Sequence, residues 1–136
     1  MGSVSAKLVF IGVISTPYQQ VGDCPRQPWT LPVLSTIDIH PEHRAAVDGL
    51  TAGGRAHVLW WAHQADRRVQ RRRMVADGPL LGVLAGRGVD RPNPIGLTLV
   101  EIVSVEGLRL DVRGMDCVTT SPLLDIKPAI DLPCYQ

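Results

Sequence analysis

Short apolar runs alternate with breaks rich in glycine and proline along the whole chain. Eleven prolines and thirteen glycines in 136 residues favour short strands joined by turns over long helices. Residues 8–14 are rich in β-branched side chains and read as a buried strand. Thr16-Pro17-Tyr18 ends that run, and residues 19–32, with Gly22, Pro25, Pro28 and Pro32, predict loop. Residues 33–39 alternate between apolar and polar, as a half-buried strand does. His40-Pro41-Glu42 predicts the start of a short helix, about two turns long, that Gly49 stops. Residues 56–62 are aromatic and branched, a strand by propensity. Residues 80–85 predict another strand, and residues 95–105 and 108–113 a hairpin about Glu106-Gly107. In its second arm Leu108, Leu110 and Val112 point one way, and Arg109, Asp111 and Arg113 the other. Residues 123–126 predict the last strand, and the chain fades into coil from Pro128. The pattern predicts an all-β protein: a small single-domain β-barrel of about six strands with one or two short helices.

A chain of 136 residues is one domain by length, able to hide roughly two-thirds of its unfolded surface. Residues 8–130 are the expected barrel, with residues 1–7 an N-terminal extension and 131–136 a C-terminal tail. Hydrophobic residues at 45% and charged ones at 20% are ordinary for a globular domain. A net charge of +1 provides no overall field to draw nucleic acid, and 4% aromatics argue against a stacking platform for single strands. The local picture differs. Five of the fourteen basic residues, Arg67, Arg68, Arg71, Arg72 and Arg73, fall within residues 66–73. Such a run predicts a solvated loop, with contact to phosphates as the alternative. Three cysteines, Cys24, Cys117 and Cys134, form no CxxC pair and are odd in number, which opposes a disulfide scaffold or a zinc site. His40 and His43 have i, i+3 spacing but lack a third ligand nearby, so no metal is expected. No window approaches the ~18 apolar residues of a membrane span. The expectation is a reduced, cytoplasmic protein.

The stretch most suited to holding a ligand is Asp90-Arg91-Pro92-Asn93-Pro94-Ile95-Gly96. Each proline fixes its own φ and pushes the preceding residue out of the α region, so the path is stiff and extended. A stiff loop loses little entropy on binding. Arg91 offers a planar fork of donors, and Asn93 a donor and an acceptor. A rigid surface turn is the competing reading. Gly86-Arg87-Gly88 is a weak phosphate-binding sign, because the prolines that follow prevent a helix from starting there. A doubly wound nucleotide fold is rejected on that ground and on length.

These motifs, taken together, resemble the TrmO family, also called TsaA-like or YaeB-like. The resemblance is carried by Ile11-Gly12-Val13-Ile14 with Pro17-Tyr18, Pro25-Arg26-Gln27, the aromatic strand ending in His63-Gln64, Arg91-Pro92-Asn93-Pro94-Ile95-Gly96, Gly114-Met115-Asp116 and Asp125-Ile126-Lys127-Pro128. It extends from about residue 8 to 130. It implies a methyltransferase that uses S-adenosyl-L-methionine on a small β-barrel. It also implies a cofactor pocket made by Pro25, Arg26, Gln27, His63, Gln64 and Arg87 with the turn Thr119, Thr120, Ser121 and Pro122; the chemistry of the residues themselves adds Arg91, Asp116 and Leu123 as candidates for the same pocket. Two departures stand out. Where members carry Ala-Thr-Arg this chain has Ala85-Gly86-Arg87, and where they commonly carry Asp-Gly-Thr-Pro it has Thr119-Thr120-Ser121-Pro122.

Methyl transfer from a sulfonium needs no metal, and alignment of donor and acceptor can supply up to ~7–11 kcal/mol. Arg26, Arg87 and Arg91 are the candidate forks for the cofactor's carboxylate. Main-chain groups such as those of Leu123 suit an adenine edge. Asp116, His63 and Asp125 are the candidates for accepting a proton from an acceptor nitrogen; imidazole is the nearest to neutrality, and Asp125 has an ion pair with Lys127 as its alternative role. The resemblance further implies a homodimer with the pocket near its interface, and tRNA, at N6-threonylcarbamoyladenosine, as the acceptor. A small-metabolite acceptor and a non-catalytic cofactor-binding module are the alternatives.

Overall fold

The computed structural model describes residues 2–26 and 32–130. Gln27, Cys134 and the tail at 131–136 lie outside the described residues. Eight strands are present: β1 (Gly12–Ser15), β2 (Leu34–Ile39), β3 (Arg55–Trp61), β4 (Arg71–Arg73), β5 (Leu80–Gly82), β6 (Ile95–Glu106), β7 (Arg109–Arg113) and β8 (Ser121–Pro128). Six of them close an antiparallel barrel in the order β1, β2, β7, β6, β3, β8. The remaining two, β4 and β5, form a separate ribbon inserted between β3 and β6. The expected all-β barrel is therefore what the chain forms.

Alternation of side chains builds the core. Ile14, Ile37, Val58, Leu110, Val112 and Leu123 are each wholly shielded from solvent. They come from β1, β2, β3, β7 and β8, and the buried Val100 and Ile102 add β6, so every stave contributes to one filled interior. The hairpin forms as the sequence predicts: Glu106 pairs with Arg109, and Gly107 takes a φ of +60° between them. The expected helix is present as two 3-10 turns over Pro41–Val47, kinked at His43.

Three local expectations are corrected. The first strand starts at Gly12, not at residue 8, and Leu8, Val9 and Phe10 are exposed. Its neighbour β2 ends at Ile39, opposite Gly12, and the bonds from Ile11 N–H to Leu123 O and from His40 N–H to Ile11 O are the last hydrogen bonds that tie this segment to the barrel among the described residues. The run at 80–85 is strand only to Gly82, because its partner β4 has three residues; Val83–Ala85 is a 3-10 turn that buries Val83. The basic run is not all loop: Arg71, Arg72 and Arg73 pair with Gly82, Leu81 and Leu80.

The strand that shapes the site is β6. Residues 95–101 pair with β3 and residues 101–106 with β7, so the handover falls at Glu101. Along 95–100 one edge of the strand has no strand beside it among the described residues. Ala62 N–H donates to Pro94 O and Ile102 N–H to Gly54 O, at 2.8 and 2.9 Å. Antiparallel hydrogen-bonded pairs alternate, so the even-numbered residues of this half bond β3 and the main chain of Leu97 faces the open side.

Gly96 is the position on β6 that tolerates no side chain. A Cβ there would lie 2.0 Å from the Trp60 ring, its cross-strand partner. Gly96→Ala is expected to lower stability by ~1–3 kcal/mol, through displacement of the ring. Gly54→Ala, where a Cβ meets nothing within 4 Å, is the control and should change a thermal melt by about 0.5 kcal/mol or less. Equal melts for the two variants would contradict the packing described.

Candidate functional site

Two cavities meet at Asp116. The larger, about 880 Å³, opens over the free edge of β6 and is bounded by Pro25, Arg26, Arg87, Arg91, Leu97 and Thr98. Its size suits a drug-sized ligand or a cofactor. The smaller, about 90 Å³, lies at the barrel mouth and is lined by Cys24, His63, Gln64, Cys117, Val118 and Ser121. Trp60, Val89 and Asp116 belong to the walls of both.

The rim is built from loops tied to one another. Arg91 Nη1 donates to Gly86 O at 3.1 Å and to Gly88 O at 2.8 Å, and its Nη2 donates to Val83 O at 3.1 Å. The guanidinium thus gathers the 83–88 turn from inside. Asp90 Oδ1 accepts the Asp66 N–H at 2.8 Å. Arg67 Nε donates to Pro92 O at 2.8 Å, and its carbon lies 5.2 Å from the Trp61 ring centroid. The ribbon joins the same structure: side-chain atoms of Met74 and Arg72 occupy the space a Cβ would take at Gly86 and Gly88. The stiffness expected of residues 90–96 therefore has tertiary support as well as prolines.

Arg87 reaches across to Leu97 O at 3.3 Å on the open edge of β6. Arg26 makes no hydrogen bond or ion pair among the described residues, and it faces the same cleft. Both line the cleft, Arg87 with one bond to a main-chain carbonyl, whereas Arg91 is engaged in holding the loop.

Asp116 is half-buried, and burial pushes its carboxyl above the usual carboxylate range. The Thr98 hydroxyl, donated to Oδ1 at 2.6 Å, and the nearby Arg87 charge act in the opposite direction. Burial also pushes the Cys117 thiol up to about 12, and it raises Cys24 and Tyr18, with Asp116 adding to both. Neither cysteine is an activated thiolate.

The other expected site residues divide. His63, Gln64 and Ser121 line the small cavity beside Asp116. Ser121 donates to Val118 O, within the turn. Thr119, Thr120, Pro122 and Leu123 line neither cavity. Thr119 Oγ1 accepts the Thr16 N–H at 3.1 Å, and Thr120 is exposed with a φ of +67°, a left-handed conformation that a β-branched residue rarely adopts. Pro122 pairs with Val13. Leu123 is core, paired with Gly12 and Trp60, and its carbonyl accepts the Ile11 N–H. Its main chain serves the barrel, whereas the main chain of Leu97 faces the open side of β6. Asp125 is also set apart. It lies on the barrel wall opposite Leu59 and pairs with Lys127 at 3.1 Å, the structural alternative named for it. Trp60, Val89, Leu97 and Thr98 were not singled out from sequence. Thr98 carried a signal, since it is the one polar side chain among the inward positions Gly96, Thr98, Val100 and Ile102.

The buried charge on Asp116 has a measurable consequence. A carboxyl whose folded pKa is raised contributes stability that is full below its unfolded pKa and is lost as pH rises through the folded one. Near neutrality the ionised group is a net burden on the fold. Asp116→Asn is therefore expected to melt above wild type at pH 7, with the gap closing as pH falls through the carboxylate range. A variant that melts lower at pH 7 would contradict this.

The probable S-adenosyl-L-methionine-binding protein VirR of Rhizobium radiobacter is 39% identical over 123 residues, covering 90% of this chain and 70% of that protein. The tRNA (adenine(37)-N6)-methyltransferase of Escherichia coli K12 is 35% identical over 130 residues, 87% of this chain and 55% of that protein. A solved structure of TrmO from Pseudomonas aeruginosa superposes with a TM-score of 0.78 at 30% identity, covering 93% of this chain and 57% of that one. The chain thus spans little more than half the length of the last two. A family model described as the tRNA-methyltransferase O N-terminal domain matches residues 13–132, nearly the whole barrel. By that match, by VirR and by the superposed barrel, the chain belongs to the tRNA-methyltransferase O N-terminal domain family.

Proposed function

We infer that this chain is an S-adenosyl-L-methionine-dependent methyltransferase resembling TrmO, with the cofactor in the large cleft over the open edge of β6. The observation that carries the reading is the make-up of that cleft. Two arginines, Arg26 and Arg87, face a shelf of Leu97 and Leu99, and Asp116 stands at the inner end. The arginines suit the cofactor's carboxylate, the leucines suit the faces of a nucleoside, and the Leu97 main chain, whose carbonyl meets Arg87 in the ligand-free chain, lies on the strand edge where a base edge would pair. When bound, the cofactor supplies an electrophilic methyl group on a sulfonium. The chain's own part is to align the two reactants, exclude water with Trp60 and Val89, and receive a proton at the Asp116 carboxylate. His63 borders the small cavity and is the second group able to take that proton.

The acceptor we propose is an adenosine in tRNA. Two features support it: a relative named for that activity, and the Arg71–Arg73 ribbon packed against the same rim as the cleft. The apolar outer row Ile95, Leu97 and Leu99 lines the cleft and remains exposed, which supports a second copy closing over its mouth. The free thiols Cys24 and Cys117 accord with a reducing, cytoplasmic setting.

Calorimetry with S-adenosyl-L-methionine should give heat for wild type, a roughly ten- to hundredfold weaker affinity for Arg87→Ala, and no change for Asp125→Asn. No heat from folded wild-type protein would overturn the cofactor assignment. Affinity for tRNA should fall steeply with salt. Arg71→Ala with Arg73→Ala should weaken it and reduce the log–log salt slope by about one for each phosphate that is no longer neutralised. Cofactor binding without salt-dependent tRNA binding would move the acceptor to a small metabolite.

A further inference from the structure

A buried hydroxyl on an apolar strand face needs partners, and Thr98 has two. The Trp60 indole Nε1 donates to Thr98 Oγ1 at 3.0 Å, and Thr98 Oγ1 donates to Asp116 Oδ1 at 2.6 Å. The direction of this chain is forced. An indole N–H can only donate, so the threonine oxygen accepts there and its single proton is left for the carboxyl group. Oδ1 is thereby made an acceptor, and the separation is that of a short hydroxyl-to-oxygen hydrogen bond. Trp60 is itself fixed by the absence of a side chain at Gly96, and Thr98 by its pairing with Val58.

The groups facing Asp116 do not duplicate this effect. Burial opposes ionisation, and Tyr18 and Cys24, from the segment after β1, would oppose it further if they lost their protons. Cys117 is the chain neighbour and stays protonated. Arg87 favours the charge from the 83–91 loop, Arg26 borders the large cleft, and His63 borders the small cavity. Among the described residues Thr98 is the side chain that hydrogen-bonds the carboxylate, and so both favours its charge and restrains its rotation.

We propose that Thr98, oriented by Trp60, is a positioning residue that fixes the Asp116 carboxylate at the junction of the two cavities and keeps it ready to take a proton from a neutral acceptor nitrogen. The inference rests on the methyltransferase reading for its purpose, but the relay belongs to the ligand-free chain. With Oδ1 engaged by Thr98, Oδ2 is the oxygen that receives the proton, and the nitrogen keeps the electron pair of the broken N–H bond. The hydroxyl also opposes premature protonation, which would leave the carboxyl unable to act.

Nuclear magnetic resonance of the ligand-free protein tests the relay. In wild type the Trp60 indole N–H resonance should shift with the same midpoint as the Asp116 side-chain carbonyl carbon, and the indole shift should vanish in Asp116→Asn. Thr98→Val should move the Asp116 midpoint upward, and Thr98→Ser should leave it near wild type. An indole resonance silent through that midpoint, or a midpoint unmoved by Thr98→Val, overturns the proposal. The wild-type measurement decides even if Thr98→Val does not fold. Methyl transfer from S-adenosyl-L-methionine to bulk tRNA provides the second readout. Below the acid limb Thr98→Val should lose roughly ten- to hundredfold in rate, with its limb displaced upward and Thr98→Ser restoring both. A moved midpoint with an unmoved acid limb overturns Thr98 as a positioning residue for the reaction. A wild-type protein that shows the coupled titration but binds no S-adenosyl-L-methionine supports the relay and overturns the methyltransferase reading instead.

Discussion

The cleft side of the barrel depends on an indole ring lying against a residue without a side chain. Trp60 and Gly96 are cross-strand partners, and the ring occupies the space where any Cβ at 96 would have to go. Three consequences follow from that single contact. The ring can turn inward and close both cavities on one wall. Its N–H meets Thr98 two residues further along β6. Thr98 in turn holds Asp116, which arrives from the far end of β7 through Gly114, at a φ of +108°. Aromatic bulk and absent bulk are complementary here, and the polar chain is laid over them.

Around this floor the rim solves a different problem. Loops that hold a ligand must be stiff without the ladder of a sheet. The prolines at 92 and 94 restrict the backbone locally, but cross-links set the rim's position. Arg91 binds three carbonyls of the preceding turn, Asp90 takes a main-chain N–H from the loop after β3, and Arg67 spans from Trp61 to Pro92. The β4–β5 ribbon adds Arg72 and Met74 against two glycines of the same turn. An arginine run thus acts partly as packing, since the long stem of an arginine covers surface as well as carrying charge.

The result places burial and charge in tension at one carboxyl group. Desolvation raises Asp116, while a hydroxyl and a guanidinium draw it back. Such a balance costs stability near neutrality, and groups that cost stability at a cavity wall are the ones function tends to retain. Thr120 is a second such departure. Its left-handed φ is held by Thr120 N–H to Ile14 O, and by the neighbouring bonds from Thr119 N–H to Tyr18 O and from Thr16 to Thr119 and Cys117.

The amino-acid sequence by itself determined the staves of the barrel. Inward Ala56, Val58 and Trp60 alternate with outward His57, Leu59 and Trp61, and a period of two is a local property that survives without knowledge of partners. It also determined the family, because ordered motifs over most of the chain are specific together. Tertiary structure alone decided where the strands stop and what the polar groups meet. The first strand begins at Gly12, where its neighbour β2 ends opposite it at Ile39, a match that neighbours along the chain do not record. Arg91 staples the preceding turn, because the carbonyls it meets are set by loop closure, whereas the Asp125–Lys127 ion pair, two residues apart on one strand, could be named from sequence as an alternative. Thr98 and Asp116 are 18 residues apart, and only the turn at Gly114 brings their side chains together. Side-chain periodicity is written in neighbours along the chain, whereas a polar group's partner is chosen by the closure of the barrel.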